Sequence, residues 1–231
     1  MASVLALVLA LSLCNVYARR TVDLTHVFDE NAPKYPLENF GIDSGTFSYF
    51  NMTTLAEQFF GDTWIAFRTY EFYEHLGTHM DAPFHFGSGR QYMSEIPPER
   101  LIGPGVVIDI KDKAGADPDY TVTVQDIQGL LTVSVVGVDT PSVDPAQNSY
   151  IACHTYLQPN DVPLLEYVAN LDSIPVRGTT IVLGAIKLRY GSGGPTRIFA
   201  FIDEDDDEPN SANELQCTAC FVFMIMSLYR M

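Results

Sequence analysis

The stretch His75-Leu76-Gly77-Thr78-His79-Met80-Asp81-Ala82-Pro83-Phe84-His85-Phe86 constrains this chain more than any other. Three of the five histidines lie in it, and His75, His79, Asp81 and His85 all occupy odd positions. In an extended segment successive side chains alternate between two faces, so these four would share one face with Gly77 and Pro83. Leu76, Met80, Ala82, Phe84 and Phe86 would share the other, with Thr78 as its polar exception. An apolar back set into a core would therefore carry a row of imidazoles and a carboxylate. Such a row performs metal chemistry or acid–base chemistry.

Distance refines the reading. A fully extended segment rises about 3.3 Å per residue, which would put His75 and His85 roughly 33 Å apart, too far to serve one ion. The segment must bend, and Gly77 and Pro83 are the residues that permit it. A helix would also bring His75 and His79 to one face, but the internal Gly and Pro argue against it. The bland alternative is three core or surface histidines gathered by chance.

The chain opens with Val4–Leu13, an apolar run followed by Val16-Tyr17-Ala18, which reads as a signal peptide over residues 1–18. The run is too short to span a bilayer. A secreted product is expected, and in that compartment Asn51-Met52-Thr53 is a glycosylation sequon at Asn51. The 47% hydrophobic content of the whole chain supports a globular fold, and one domain is expected over residues 19–203. The net charge of −16 excludes a nucleic-acid binder, because a phosphate backbone would be repelled. The acidic run Asp203–Glu208 opens a tail over residues 204–231 and reads as solvated, in preference to a calcium site.

Cysteine is too sparse for a disulfide framework. Cys153 beside His154 could be a nucleophile, with a buried free thiol as the plainer reading, and Cys217-x-x-Cys220 lacks a partner pair for zinc.

Along the chain, Thr21–His26 reads as a first strand, with His26 as a structural histidine. Phe59, Phe60 and Trp64 read as core aromatics. Trp64–Glu74 is a strand running into the histidine stretch, and Gly105–Ile110, Val133–Val138, Thr179–Lys187 and Thr196–Ile202 are further strands. A short helix is expected over Thr123–Leu131, capped through Asp126. His154 falls on a loop. Leu164, Leu165, Val168 and Leu171 have helical spacing, so Glu166 would sit on a short amphipathic helix, among apolar positions where a carboxylate needs a partner. Gly191–Pro195 is a hairpin-like turn. The apolar stretch Leu215–Tyr229 reads as a poorly ordered tail or, alternatively, as a lipid-anchor signal, the only feature that would bring a membrane into play.

The motif His75-x-Gly77-Thr78-His79-x-Asp81-x-Pro83-x-His85-Phe86 resembles the signature of the metal-dependent cyclase/kynurenine formamidase family. Asp23-Leu24-Thr25-His26, Tyr35-Pro36, Gly137–Asp144 and Gly194-Pro195-x-Arg197 extend the resemblance over most of residues 21–203. It implies an α/β architecture, the swivelling β/β/α domain, and hydrolysis of a non-peptide amide, with N-formylkynurenine as the prototype and isatin-type ring opening in relatives. By resemblance His75, His79, Asp81, His154 and Glu166 would ligate one or two divalent ions, Zn or Mn, with Asp81 able to bridge. His85 would be the general acid/base, and Tyr35 would stand against the ring of a small aromatic substrate.

The family normally carries a further block, including a strand, between the helix near Ile127 and the strand at Val133. Here Gln125–Leu131 runs straight into that strand, so a sheet gap is expected. Two outcomes follow: an active arylformamidase-like hydrolase, or an inactive or binding paralogue or truncated isoform that keeps the metal site. A homodimer would help cover an edge left open by the gap.

Overall fold

The computed structural model describes residues 20–35, 37, 41, 43, 48–117, 120, 122–123, 125–126, 133–145, 151–202 and 220–226. The signal-peptide segment, the acidic run and most of the expected helix after Thr123 lie outside them. Of that helix start, Asp126 Oδ2 does accept from the Thr123 N–H and hydroxyl, at 2.7 and 2.8 Å.

The chain folds around one eight-stranded sheet. Its strands are β1 (Arg20–Asp23), β4 (His79–Asp81), β5 (Ile102–Asp109), β6 (Val133–Val138), β7 (Leu164–Glu166), β8 (Thr179–Ala185), β9 (Gly193–Ile202) and β10 (Cys220–Ile225). They run in the order β1-β9-β4-β7-β6-β10-β5-β8. The long strand β9 also pairs with β8, from Thr196 to Ile202, so the sheet curls back on itself like a barrel. Short helices α1 (Lys111–Ala116) and α2 (Ala152–Leu157) lie between strands. The core is the apolar interior of this sheet, with Met80, Val135, Leu165, Ile181, Ile198 and Phe223 completely or almost completely removed from solvent.

The strand β10 corrects the reading of the C-terminal stretch as a tail or lipid-anchor signal. Cys220–Ile225 lies between β5 and β6 and runs parallel to both. Phe221, Val222, Phe223, Met224 and Ile225 are all buried. A continuous apolar run with no alternation is what a strand covered on both faces requires. The place between β5 and β6 is thus occupied from the far end of the chain. Gly137 on β6 makes room for it, since a Cβ at that position would stand 2.6 Å from the Phe223 ring.

Two further readings are corrected. Leu164–Glu166 is the strand β7, not a helix: Pro163 precedes it, and its backbone is held on one side by β4 and on the other by β6. Phe59, Phe60 and Trp64 are not core residues. They sit at the tip of a separate two-stranded arm, β2 (Phe50–Phe60) and β3 (Thr63–Phe72), exposed by 67, 77 and 53%. A lone ribbon has no second layer to pack on, so Phe59 and Trp64 pack on each other with ring centroids 5.2 Å apart. The root of the arm is seated on Phe28, which meets Phe50 and Phe72 edge-on.

Candidate metal centre

The histidine stretch bends where its Gly and Pro allow. Gly77 takes φ +63°, a conformation open to glycine, and Pro83 starts a 3-10 turn through His85. Only His79–Asp81 remains a strand, clamped between β7 and β9 with His79 opposite Glu166 and Asp81 opposite Gly193. That register carries Glu166 to the motif from a distant part of the sequence, on a strand whose three residues are all buried. His154 lies on α2, not on a loop, and its ring turns toward the same point.

The structure brings His75, His79, Asp81, His154 and Glu166 together in the protein interior, each no more than 6% exposed. Around Asp81 Oδ1 stand His75 Nδ1 at 2.7 Å and His79 Nε2 at 3.2 Å. Around Asp81 Oδ2 stands His154 Nε2 at 3.3 Å. Glu166 closes the ring, with Oε2 3.6 Å from His79 Nε2 and Oε1 3.4 Å from His154 Nε2. Ligand atoms of His75, His79 and Asp81, and separately those of Asp81, His85 and His154, fall within 4.8 Å of one another. Asp81 belongs to both groups, one carboxylate oxygen toward each.

These residues fit a divalent ion. His79 Nε2 and Asp81 Oδ2 are buried without a hydrogen-bond partner, a costly state for polar atoms inside a protein unless something binds them. Imidazole nitrogens with carboxylate oxygens are donors that divalent transition metals accept.

Their surroundings fix the rings. His79 Nδ1 donates to the Gly77 carbonyl at 2.8 Å, leaving Nε2 aimed inward. His154 Nδ1 donates to Asp144 Oδ2 at 2.6 Å, and Asp144 also accepts the backbone N–H groups of Cys153 and His154. Burial works against the charged form of His154, but the surrounding Asp144, Asp81 and Glu166 carboxylates prevail and raise its pKa to about 12 in the metal-free protein. Burial likewise opposes ionisation of Asp81, yet His75 and His85, with the close approach of His154 and the hydrogen bond from His75, hold its carboxyl well below the usual range. His85 goes the other way: burial, against the attraction of Asp81, pushes it down to about 3. Its ring lies on His75 at 4.2 Å between centroids and 5.9 Å from His154.

Tyr35 borders a cleft of about 1450 Å³ shared with His26, Thr140, Asp144 and Tyr167, the last next to Glu166 in sequence. Asn51 is exposed on β2. Asp144 enters the sequence reading only as the end of the Gly137–Asp144 match. Glu74 and Ser192, which also reach the cluster, carried no signal beyond a serine set among glycines. Cys153 is a half-buried free thiol, pushed up to about 11 by burial beside Asp144, which makes it a poor nucleophile.

Residues 22–132 match the family model described as Putative cyclase. Among curated relatives, isatin hydrolase of Roseibium aggregatum is 23% identical over 189 residues, covering 56% of this chain and 72% of its own. Kynurenine formamidase of Bacillus mycoides is 26% identical over 155 residues, covering 53% and 74%. Isatin hydrolase A from Labrenzia aggregata, a solved structure 23% identical, superposes with a TM-score of 0.70 over 86% of this chain and 100% of its own. Another isatin hydrolase, bound to the product analogue thioisatinate, is 20% identical and reaches 0.72 over 88% and 100%. The chain is thus similar to the cyclase family over residues 22–132, and it shares the mixed α/β fold of these solved structures.

Proposed function

We propose that the protein is a metal-dependent hydrolase of a non-peptide amide, acting on an aryl formamide of the N-formylkynurenine type to give the arylamine and formate. The observation that carries this reading is the buried cluster centred on Asp81, with His79 Nε2 and Asp81 Oδ2 unpartnered and aimed at one another's neighbourhood. The relatives' names support the amide class: one opens isatin, the others act as kynurenine formamidases.

His75, His79, Asp81, His154 and Glu166 would hold one or two ions, zinc or manganese. A divalent ion held there polarises a carbonyl and brings the pKa of water toward 7. The chain's own residues supply the rest. In the overall reaction a water oxygen bonds to the formyl carbon, the carbon–nitrogen bond breaks, and a water proton ends on the departing aryl nitrogen. His85, held neutral at pH 7 by burial, is placed to take that proton and hand it on. Tyr35 and Tyr167 on the adjoining cleft offer an aromatic wall for the substrate ring.

The apolar Val4–Leu13 run and the exposed Asn51 support a secreted glycoprotein. The exposed aromatic arm supports a homodimer, because contiguous apolar surface marks association. The inactive-paralogue reading rests on the block missing before Val133, and the ligand set gathered around Asp81 favours the enzyme. The test is turnover by the purified mature chain on N-formylkynurenine, isatin and a peptide amide, beside His85→Ala. Formate release lost in the variant is expected. Turnover of the peptide amide alone, or full activity in His85→Ala, would sink the proposal.

A further inference from the structure

Two of the cluster's imidazoles are oriented by an acceptor on their outer nitrogen, the Gly77 carbonyl for His79 and the Asp144 carboxylate for His154. The third, His75, meets a serine instead. Ser192 Oγ lies 3.0 Å from His75 Nε2 and 2.6 Å from Glu74 Oε1, while the Ser192 N–H reaches Glu74 Oε2 at 3.1 Å.

Glu74 thus holds Ser192 at two points, its backbone N–H and its hydroxyl. With Nε2 turned outward to Ser192, His75 Nδ1 faces Asp81 Oδ1, 2.7 Å away. The serine is pinned in place: its carbonyl accepts from Ala82 N–H at 2.8 Å, and the next residue, Gly193, pairs with Asp81. Gly193 also admits the ring, since a Cβ there would stand 2.6 Å from His75 Cε1.

We infer that Glu74 and Ser192 are positioning residues of the metal centre, a two-link contact that holds the His75 ring with Nε2 outward and Nδ1 presented as the ligand atom. The inference rests on the proposed metal-dependent function. The sequence Ser192, His75, Asp81 has the order of a Ser–His–Asp triad, but the Ser192 hydroxyl also lies 2.6 Å from Glu74 Oε1, so His75 is not its one partner.

Two measurements on the full chain test this. The first is Zn²⁺ affinity by chelator competition for wild type, Ser192→Ala and Glu74→Gln, alongside thermal unfolding of the metal-free proteins. Partners behind a metal-bound histidine commonly set its affinity by about 10–100-fold. A loss of that size in Ser192→Ala, a smaller loss in Glu74→Gln, and metal-free unfolding temperatures close to wild type are expected. Equal Zn²⁺ affinity in wild type and Ser192→Ala would overturn the inference while leaving the hydrolase reading intact, as would losses matched by a general fall in metal-free stability.

The second measurement is hydrolysis of N-formylkynurenine by the same proteins with and without chelator. Zn²⁺ binding weakened in Ser192→Ala with no turnover in wild type would sink the hydrolase reading and keep the positioning role. Chelator-insensitive hydrolysis abolished by Ser192→Ala would overturn both in favour of a serine nucleophile.

Discussion

Phe223→Ala tests whether the C-terminal segment is structural. Phe223 is fully buried on β10, between β5 and β6, with its ring against the backbone of Gly137. Removing a buried phenylalanine ring costs about 3–5 kcal/mol through lost burial and the cavity left behind. Against a typical total stability of about 5–15 kcal/mol, that is a large fraction. For a domain of this size each kcal/mol moves Tm by roughly 2–4 °C, so a fall of about 6–20 °C is expected. The converse change supports the same contact. Gly137→Ala would set a Cβ 2.6 Å from the ring and should cost about 1–3 kcal/mol by overpacking. Because the two sites touch, the double variant should lose less than the sum of the singles. Urea unfolding followed by far-ultraviolet circular dichroism measures all four proteins. A change in Phe223→Ala within about 0.5 kcal/mol, as for an exposed tail, would refute the placement of β10.

Asp144→Asn removes the carboxylate that receives His154 Nδ1 and should weaken metal binding by about 10–100-fold in chelator competition, with His154 still present. The metal-free protein should lose stability on acidification: His85 has its pKa lowered on folding, from 6.5 to about 3, so the unfolded chain gains the proton first and stability falls as pH drops through that window. His85→Asn should flatten this stretch of the pH–stability curve, read by denaturant midpoints; an unchanged slope would contradict the assignment. Replacing Phe59, Phe60 and Trp64 together with serine should shift the sedimentation coefficient toward the monomer with little loss of stability, since all three are exposed. An unchanged coefficient would remove the arm from the interface.

The site was legible in the sequence where its residues are close together. His75, His79, Asp81 and His85 fall in one short stretch, and the need for a bend at Gly77 and Pro83 followed from strand rise alone. What lay beyond was set by pairings between distant segments. Leu164-Leu165-Glu166 is too short for its periodicity to separate strand from helix, and β4 and β6 decide the matter by offering backbone partners on both sides. Cys220–Ile225 has the apolar continuity of a doubly covered strand, but nothing near it in sequence announces β5 and β6. The aromatic arm misled for the opposite reason: residues that would bury in a layered sheet stay exposed on a ribbon packed only at its root. Ser192 is brought to Glu74 and His75 by the β4–β9 register, which no local pattern encodes.

The most direct test of the central claim is metal content measured together with N-formylkynurenine hydrolysis on the purified mature chain, before and after chelation. Bound divalent metal, activity lost with the chelator and restored by Zn²⁺ or Mn²⁺ is the result the buried His79–Asp81–His154–Glu166 cluster predicts. Hydrolysis that proceeds unchanged in the chelated, metal-free protein would contradict it.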